Sequence, residues 1–162
     1  MKILGIDPGI ARCGWAIVES QNSKIQVLGY GCIETSPKSL IEERLEQVYL
    51  QVSKIIKTYK PGVLSIEELF FSSNAKTAFV VGQARGVVLL AASQNRLKTA
   101  IYTPLQVKLA VTGYGRAEKK QVEDMVKILL KLKTAPKLDD TSDALAVAIT
   151  HAFSQKYEKY TK

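Results

Sequence analysis

The stretch Lys2-Ile3-Leu4-Gly5-Ile6-Asp7-Pro8-Gly9 decides how this chain is read. Ile3, Leu4 and Ile6 describe a buried strand, and Pro8 with Gly9 stop it at once, so Asp7 is left at its exposed edge. The same device recurs where Val63, Leu64, Ser65 and Ile66 run into Glu67 and Glu68. An unpaired acid in an apolar setting is costly, so two apolar strands that each deliver a carboxylate need a compensating charge. A shared divalent cation is the commonest one that also produces chemistry. Taken singly, Asp7 also reads as a turn residue and Glu67-Glu68 as a solvated strand end.

Runs at 14 to 20 and 25 to 34, set off by short Gly and Asn turns, extend the first strand into an antiparallel meander. Between 39 and 59, Leu40, Ile41, Leu45, Val48, Val52, Ile55 and Ile56 recur at helical spacing, so a helix returns the chain to the strand 63 to 67. Further helices are expected at 74 to 96, 104 to 111, 117 to 132 and 140 to 155. A short strand is expected at 98 to 102, and a flexible break at Gly113-Tyr114-Gly115. Three strands followed by alternating helix and strand give an α/β protein with a mixed sheet covered by helices. With 162 residues, 46% hydrophobic content and no repeat or linker, one domain over residues 1–155 is expected. Residues 156–162, rich in Lys and Tyr, are expected to fray.

Lys and Arg number 23 against 15 acids. If four of those acids are gathered on metal, the remaining surface is more basic than the formal charge of +8, which points to a polyanion, nucleic acid ahead of a membrane. Cys13 and Cys32 suggest neither a zinc site nor a disulfide framework and fit a reducing cytoplasm. The chain enters strand pattern with no charged leader, and the apolar run Phe79 to Ala92 is interrupted by Gln83 and Arg85. Neither secretion nor membrane spanning is expected.

Asp140 and Asp143 lie three apart at the start of the last helix, on one face with each other. That is also the spacing of an N-cap and its N3 partner. Phosphodiester hydrolysis needs a water activated in line with the leaving 3′-oxygen, and two metal ions achieve this at about 4 Å separation. Hard carboxylate oxygens suit Mg²⁺. In that scheme Asp7 bridges both ions, Glu67 orients one of them and its water, and Asp140 with Asp143 completes the second. His151 lies too far along the helix to be a general base and reads as a packing or capping residue.

The segments GIDPGIARCGWAIVE, SIEELFFSSN, GQARGV, TPLQVKLAVTGYGRAEKKQV and DDTSDALAVAITHAF together resemble the RuvC family of Holliday junction resolvases, over about residues 1 to 153. The resemblance implies a ribonuclease-H-like mixed five-stranded sheet flanked by helices. It also implies a homodimer, Mg²⁺-dependent cleavage of two symmetrically placed strands of a four-way DNA junction, and cooperation with RuvA and RuvB. Mn²⁺ is expected to substitute for Mg²⁺. The family's acids fall on Asp7, Glu67 rather than Glu68, Asp140 and Asp143, while Asp139 lies outside the motif. Some members carry histidine where this chain has Asp140, and either side chain holds a divalent metal.

The resemblance further places Lys108 and Lys119 beside the acids as phosphate contacts. It assigns Phe70 to stacking on an unpaired base. Strand alternation sends Phe71 the other way, into the core. Arg85 and Lys76 are candidate backbone-phosphate contacts or plain helix-surface residues, and a solvated helix face is the plainer reading of Lys119-Lys120. Gly82 and Gly86, four apart, allow close approach either of the protein's own sheet or of a second subunit. A YqgF-type nuclease shares the opening Asp-x-Gly but fits the later blocks less well. A sugar-kinase-like reading fails at Ile10, where Ser or Thr is expected. A noncatalytic junction-binding protein would have no need of all four acids.

Overall fold

A computed structural model of the chain describes residues 1–21, 24–68 and 75–160, the side chains of 75–77 and 156–160 excepted. Strands β1 (Lys2–Asp7), β2 (Arg12–Gln21) and β3 (Lys24–Glu34) form the antiparallel meander. Strands β4 (Val63–Glu67) and β5 (Lys98–Tyr102) add to the other side of β1 in parallel, so the five-stranded mixed sheet has the order β3-β2-β1-β4-β5. The central strands β1 and β4 are buried on both faces, which is why they read as near-continuous apolar runs and not as alternating ones.

Helices α1 (Ile41–Tyr59) and α2 (Ala75–Gln94) flank one side, and α3 (Pro104–Thr112), α4 (Lys119–Leu129) and α5 (Asp139–Tyr160) the other. Alternation sorts the side chains between two cores. Leu4, Ile6, Leu64 and Ile66 pack with Val48, Val52 and Val88 of α1 and α2. Ile3 and Val63 pack with Val107, Val126, Leu145 and Ile149 of the other layer. The same period of two sends Asp7, four residues beyond Ile3, and Glu67, four beyond Val63, to the α5 side.

α5 lies against bare backbone. A Cβ on Gly5 would collide with the carbonyl oxygen of Ala144, and one on Gly14 with that of Asp140. Ser65 Oγ, buried on β4, donates to the Val147 carbonyl at 2.7 Å and ties the same helix to the neighbouring strand. Two glycines and one serine thus bring the start of α5 to the ends of β1 and β4.

The expected elements are all present, with changed ends. α4 is shorter than 117 to 132 because Glu118 takes the cap position, its N–H donating to Gln121 Oε1 at 2.8 Å. The Gly113 break is a helix stop: its φ of 77° is left-handed, and its N–H donates to Leu109 O at 2.9 Å. α5 runs to Tyr160, past its expected end at 155, since no Gly or Pro interrupts Ser154 to Tyr160. Among the described residues no helix is long and apolar enough to cross a membrane.

Candidate active site

Asp7 ends β1 opposite Gly14 of β2, and Glu67 ends β4, the strand paired with β1 on its other side. Pro8 and Gly9 turn the chain away directly after Asp7. The β4–β5 ladder continues one step past Glu67, where Glu68 N–H donates to Tyr102 O at 2.7 Å, so Glu67 is held on fixed backbone. Asp143 comes down from α5. Two adjoining hollows of about 200 and 320 Å³ share Glu67, Pro104 and Asp143 as walls. Asp7 lines the larger; Lys108 and Lys119 line the smaller.

Three of the four expected acids therefore meet in one cleft. Asp140 stands at its flank: its Oδ2 is 3.2 Å from Arg12 Nε, and it lines neither hollow. Asp143 Oδ2 is 3.3 Å from Lys119 Nζ, which is also 3.2 Å from Asp139 Oδ2. The capping alternative for Asp140 and Asp143 fails, because α5 already begins at Asp139 and both carboxylates face cations of other elements.

The electrostatics record a surplus of negative charge. Burial, then Asp143, Asp140 and Glu67, push Asp7 up to about 7, against a weaker pull from Lys119. Burial and Asp143 raise Glu67, with Lys108 opposing. Burial raises Asp143 even with Lys119 beside it. Burial works against the charge on Lys119, but Asp143 and Asp139 together overcome it and raise its pKa. Groups that hinder one another's ionisation in a cleft are characteristic of functional sites.

As the side chains stand, no three His, Cys, Asp or Glu residues among those described are close enough to enclose one ion. Two of the four acids stand beside cations of the chain, Asp140 at Arg12 and Asp143 at Lys119. The donor set nonetheless fits a hard divalent cation: it is all carboxylate oxygen, and each acid disfavours the charge of the next. Neither thiol belongs to it. Cys13 is buried in the opposite core, and its pKa is pushed up to about 12, mainly by that burial.

Lys108 projects from α3, whose start is fixed by Thr103: its Oγ1 accepts from Gln106 N–H at 3.2 Å, with Pro104 as the first helical residue. The two readings of Lys119-Lys120 divide between the residues. Lys120 pairs with Asp124 one turn along α4, as a solvated face would, whereas Lys119 faces the acids. Arg85 is half-buried on α2, one turn after Val81, which lines the cleft; its Nε has no hydrogen-bond partner among the described residues. The side chain of Lys76 and the whole of Phe70 and Phe71 lie outside the described residues. His151 is buried and shares a 2.6 Å hydrogen bond with Tyr102, consistent with packing.

Sequence reasoning passed over Arg12 and left Asp139 outside the motif. The one available signal for Arg12 was register, since it lies two residues before Gly14, the partner of Asp7.

A model of the family described as crossover junction endodeoxyribonuclease RuvC matches residues 3–151. The crossover junction endodeoxyribonuclease RuvC of Alkaliphilus metalliredigens is 53% identical over 162 residues, covering 100% of this chain and 99% of its own. Among solved structures, Thermus thermophilus RuvC superposes with a TM-score of 0.91 at 36% identity, covering 98% of this chain and 97% of that one. T. thermophilus RuvC in complex with Holliday junction substrate gives 0.92 at 36%, covering 98% and 96%. The sheet and its helices are those of the ribonuclease-H-like resolvases.

Proposed function

The chain belongs to the RuvC family of crossover junction endodeoxyribonucleases, and on that footing we propose that its acidic cleft cuts four-way DNA junctions. The cut is a paired, symmetric hydrolysis of phosphodiesters, serving recombination and repair. The observation that carries this reading is the convergence of Asp7, Glu67 and Asp143 in one cleft with Lys108 and Lys119 on its wall.

Asp7, Glu67, Asp140 and Asp143 are the residues that would hold Mg²⁺, two ions to a site, with Mn²⁺ as a substitute of similar oxygen preference. Bound there, the metal would supply an activated water and neutralise charge on the leaving 3′-oxygen. Lys108 and Lys119 hold the phosphate. Lys119 opens α4, where the helix dipole already contributes positive potential, so its ammonium is favoured there only if acids or a phosphate face it. Phe70 stacks on a base at the junction centre, and Arg85 with Lys76 follows the backbone away from the cleft.

Paired incision needs two copies of the site. On α2, Phe79 and Leu90 are exposed, and a Cβ added at Gly82 or Gly86 would meet nothing within 4 Å. Residues 79, 82, 86 and 90 fall on one helical stripe, open and apolar, which suits a two-fold contact with a second subunit. The dimer works in the cytoplasm on junctions handled by RuvA and RuvB.

Labelled four-way junctions and matched duplexes, incubated with and without Mg²⁺, test the reading. Symmetric nicks on the junction alone, and only with metal, are expected. Tight junction binding without cutting under any metal would instead indicate a noncatalytic binder, and cutting indifferent to the junction a YqgF-type nuclease.

A further inference from the structure

The two helix-borne acids are balanced differently. Lys119 reaches Asp143 from within the cleft and also touches Asp139. Arg12 reaches Asp140 from outside it, and among the described residues no second acid lies within ion-pair distance of its guanidinium. Its position is set by the backbone. A Cβ on Gly9 would collide with the Arg12 carbonyl oxygen, so the turn after Asp7 folds tightly onto Arg12. Gly14, two residues on, lets the Asp140 backbone rest on β2.

From this geometry we infer that Arg12 is a built-in counter-cation for Asp140, one that a divalent cation must displace before Asp140 can join the acidic centre. Arg12 thereby sets how much metal the centre requires. The inference rests on the metal-dependent reading proposed above. A guanidinium and a metal ion compete for the same carboxylate oxygen. Asp140 Oδ2 is enclosed and close to Arg12 Nε, yet it has no aligned hydrogen bond among the described residues. A contact held by charge without direction yields to a second cation more easily than an aligned bidentate pair does. The Arg12 side chain is 51% exposed, so water receives the freed guanidinium. Lys119 differs here, because it lies inside the cleft and is shared between Asp143 and Asp139.

The test is a Mn²⁺ titration of the DNA-free protein, followed by the electron paramagnetic resonance signal of the free ion. Arg12→Gln should tighten Mn²⁺ binding by roughly three- to tenfold, while Arg12→Lys, which keeps the charge, stays near wild type. In an Asp140→Asn background the same Arg12→Gln change should shift affinity by less than about twofold. Unchanged or weaker binding in Arg12→Gln would overturn the inference, as would equal tightening in both backgrounds, which would mean only a diffuse field effect. Asp7→Asn separates the two levels of argument. If wild type binds Mn²⁺ and Asp7→Asn loses it while Arg12→Gln changes nothing, the inference alone fails. If wild type binds no Mn²⁺ without DNA, the inference fails, and the metal-dependent reading fails with it only if junction cutting is also indifferent to Mg²⁺.

Discussion

Asp7 and Glu67 end adjacent strands, whereas Asp140 and Asp143 ride on the start of α5, and the two pairs differ in what neutralises them. Each helix-borne acid has a cation of the chain within 3.3 Å. The strand-borne pair has no ion-pair partner among the described residues and titrates high, Asp7 at about 7. The strand acids are thus held on paired backbone with no cation against them, while each helix acid has a cation of the chain beside it, although burial still raises Asp143. A centre that must take up divalent metal gains from both: fixed ligands whose charge is unmet, and others whose partners can exchange.

Breaking the strand side should have the largest effect. Asp7→Asn removes the acid that three others surround, so cutting should fall by roughly a thousandfold or more. Junction binding should persist or strengthen, because DNA affinity comes from basic groups and the lost charge was repulsive. Cleavage and gel-shift assays on the same preparation check this, and substantial cutting by the variant would remove Asp7 from the centre.

Gly14→Ala attacks the helix side through backbone alone. The new Cβ collides with the Asp140 carbonyl oxygen, so the start of α5 must move off β2 while β1 and β4 keep their pairing. A displacement of about 1 Å costs on the order of a hundredfold in rate. Overpacking of this kind costs about 1 to 3 kcal/mol of stability. Single-turnover cleavage together with a thermal melt measures both. Wild-type rates would show that α5 does not need this contact to present its acids.

Much of this contrast was legible in advance, and the missing part has a physical explanation. Asp7 and Glu67 could be read because a strand is a local pattern: apolar alternation assigns the face, and Pro8-Gly9 marks the end. Asp140 and Asp143 could not be told from a cap, since three-residue spacing serves both uses; the choice depends on Arg12 and Lys119, which are remote in sequence. Arg12 was passed over because nothing in its own segment marks it, and its partner is fixed only once α5 settles on Gly14. Likewise nothing local distinguishes Gly82 and Gly86, where a Cβ would meet nothing within 4 Å, from Gly5 and Gly14, pressed against α5.

The lysines should give an intermediate effect. Lys119→Ala and Lys108→Ala each remove a cation from the wall of the cleft, and each should slow cleavage about ten- to a hundredfold at saturating protein. Lys119→Ala should also release Asp143, so its loss is partly offset by easier metal binding, and Lys108→Ala, with no such release, should be the more severe at low Mg²⁺. Equal Mg²⁺ dependence in the two variants would show that the Lys119–Asp143 pair does not compete with metal.

The smallest effects concern stability, where the two kinds of acid should respond to different extents. The folded pKa of Asp7, about 7, lies above its ordinary value of 3.8, so between those limits the folded state binds more protons than the unfolded. Stability therefore falls as pH rises through that window, and the full penalty is present above pH 7. Asn carries no charge at any of these pH values. With chelator present, Asp7→Asn should gain about 2 kcal/mol over wild type at pH 8, less than the full shift implies because neighbours relax, and nothing near pH 4. Asp140→Asn removes a charge that Arg12 already balances, and it should move stability by under about 1 kcal/mol at either pH. Thermal melts of the three proteins at pH 8 and near pH 4 decide it. A gain at pH 8 for Asp140→Asn as large as that for Asp7→Asn would mean that Arg12 does not balance its acid, and that the strand and helix sides of the cleft are electrostatically alike.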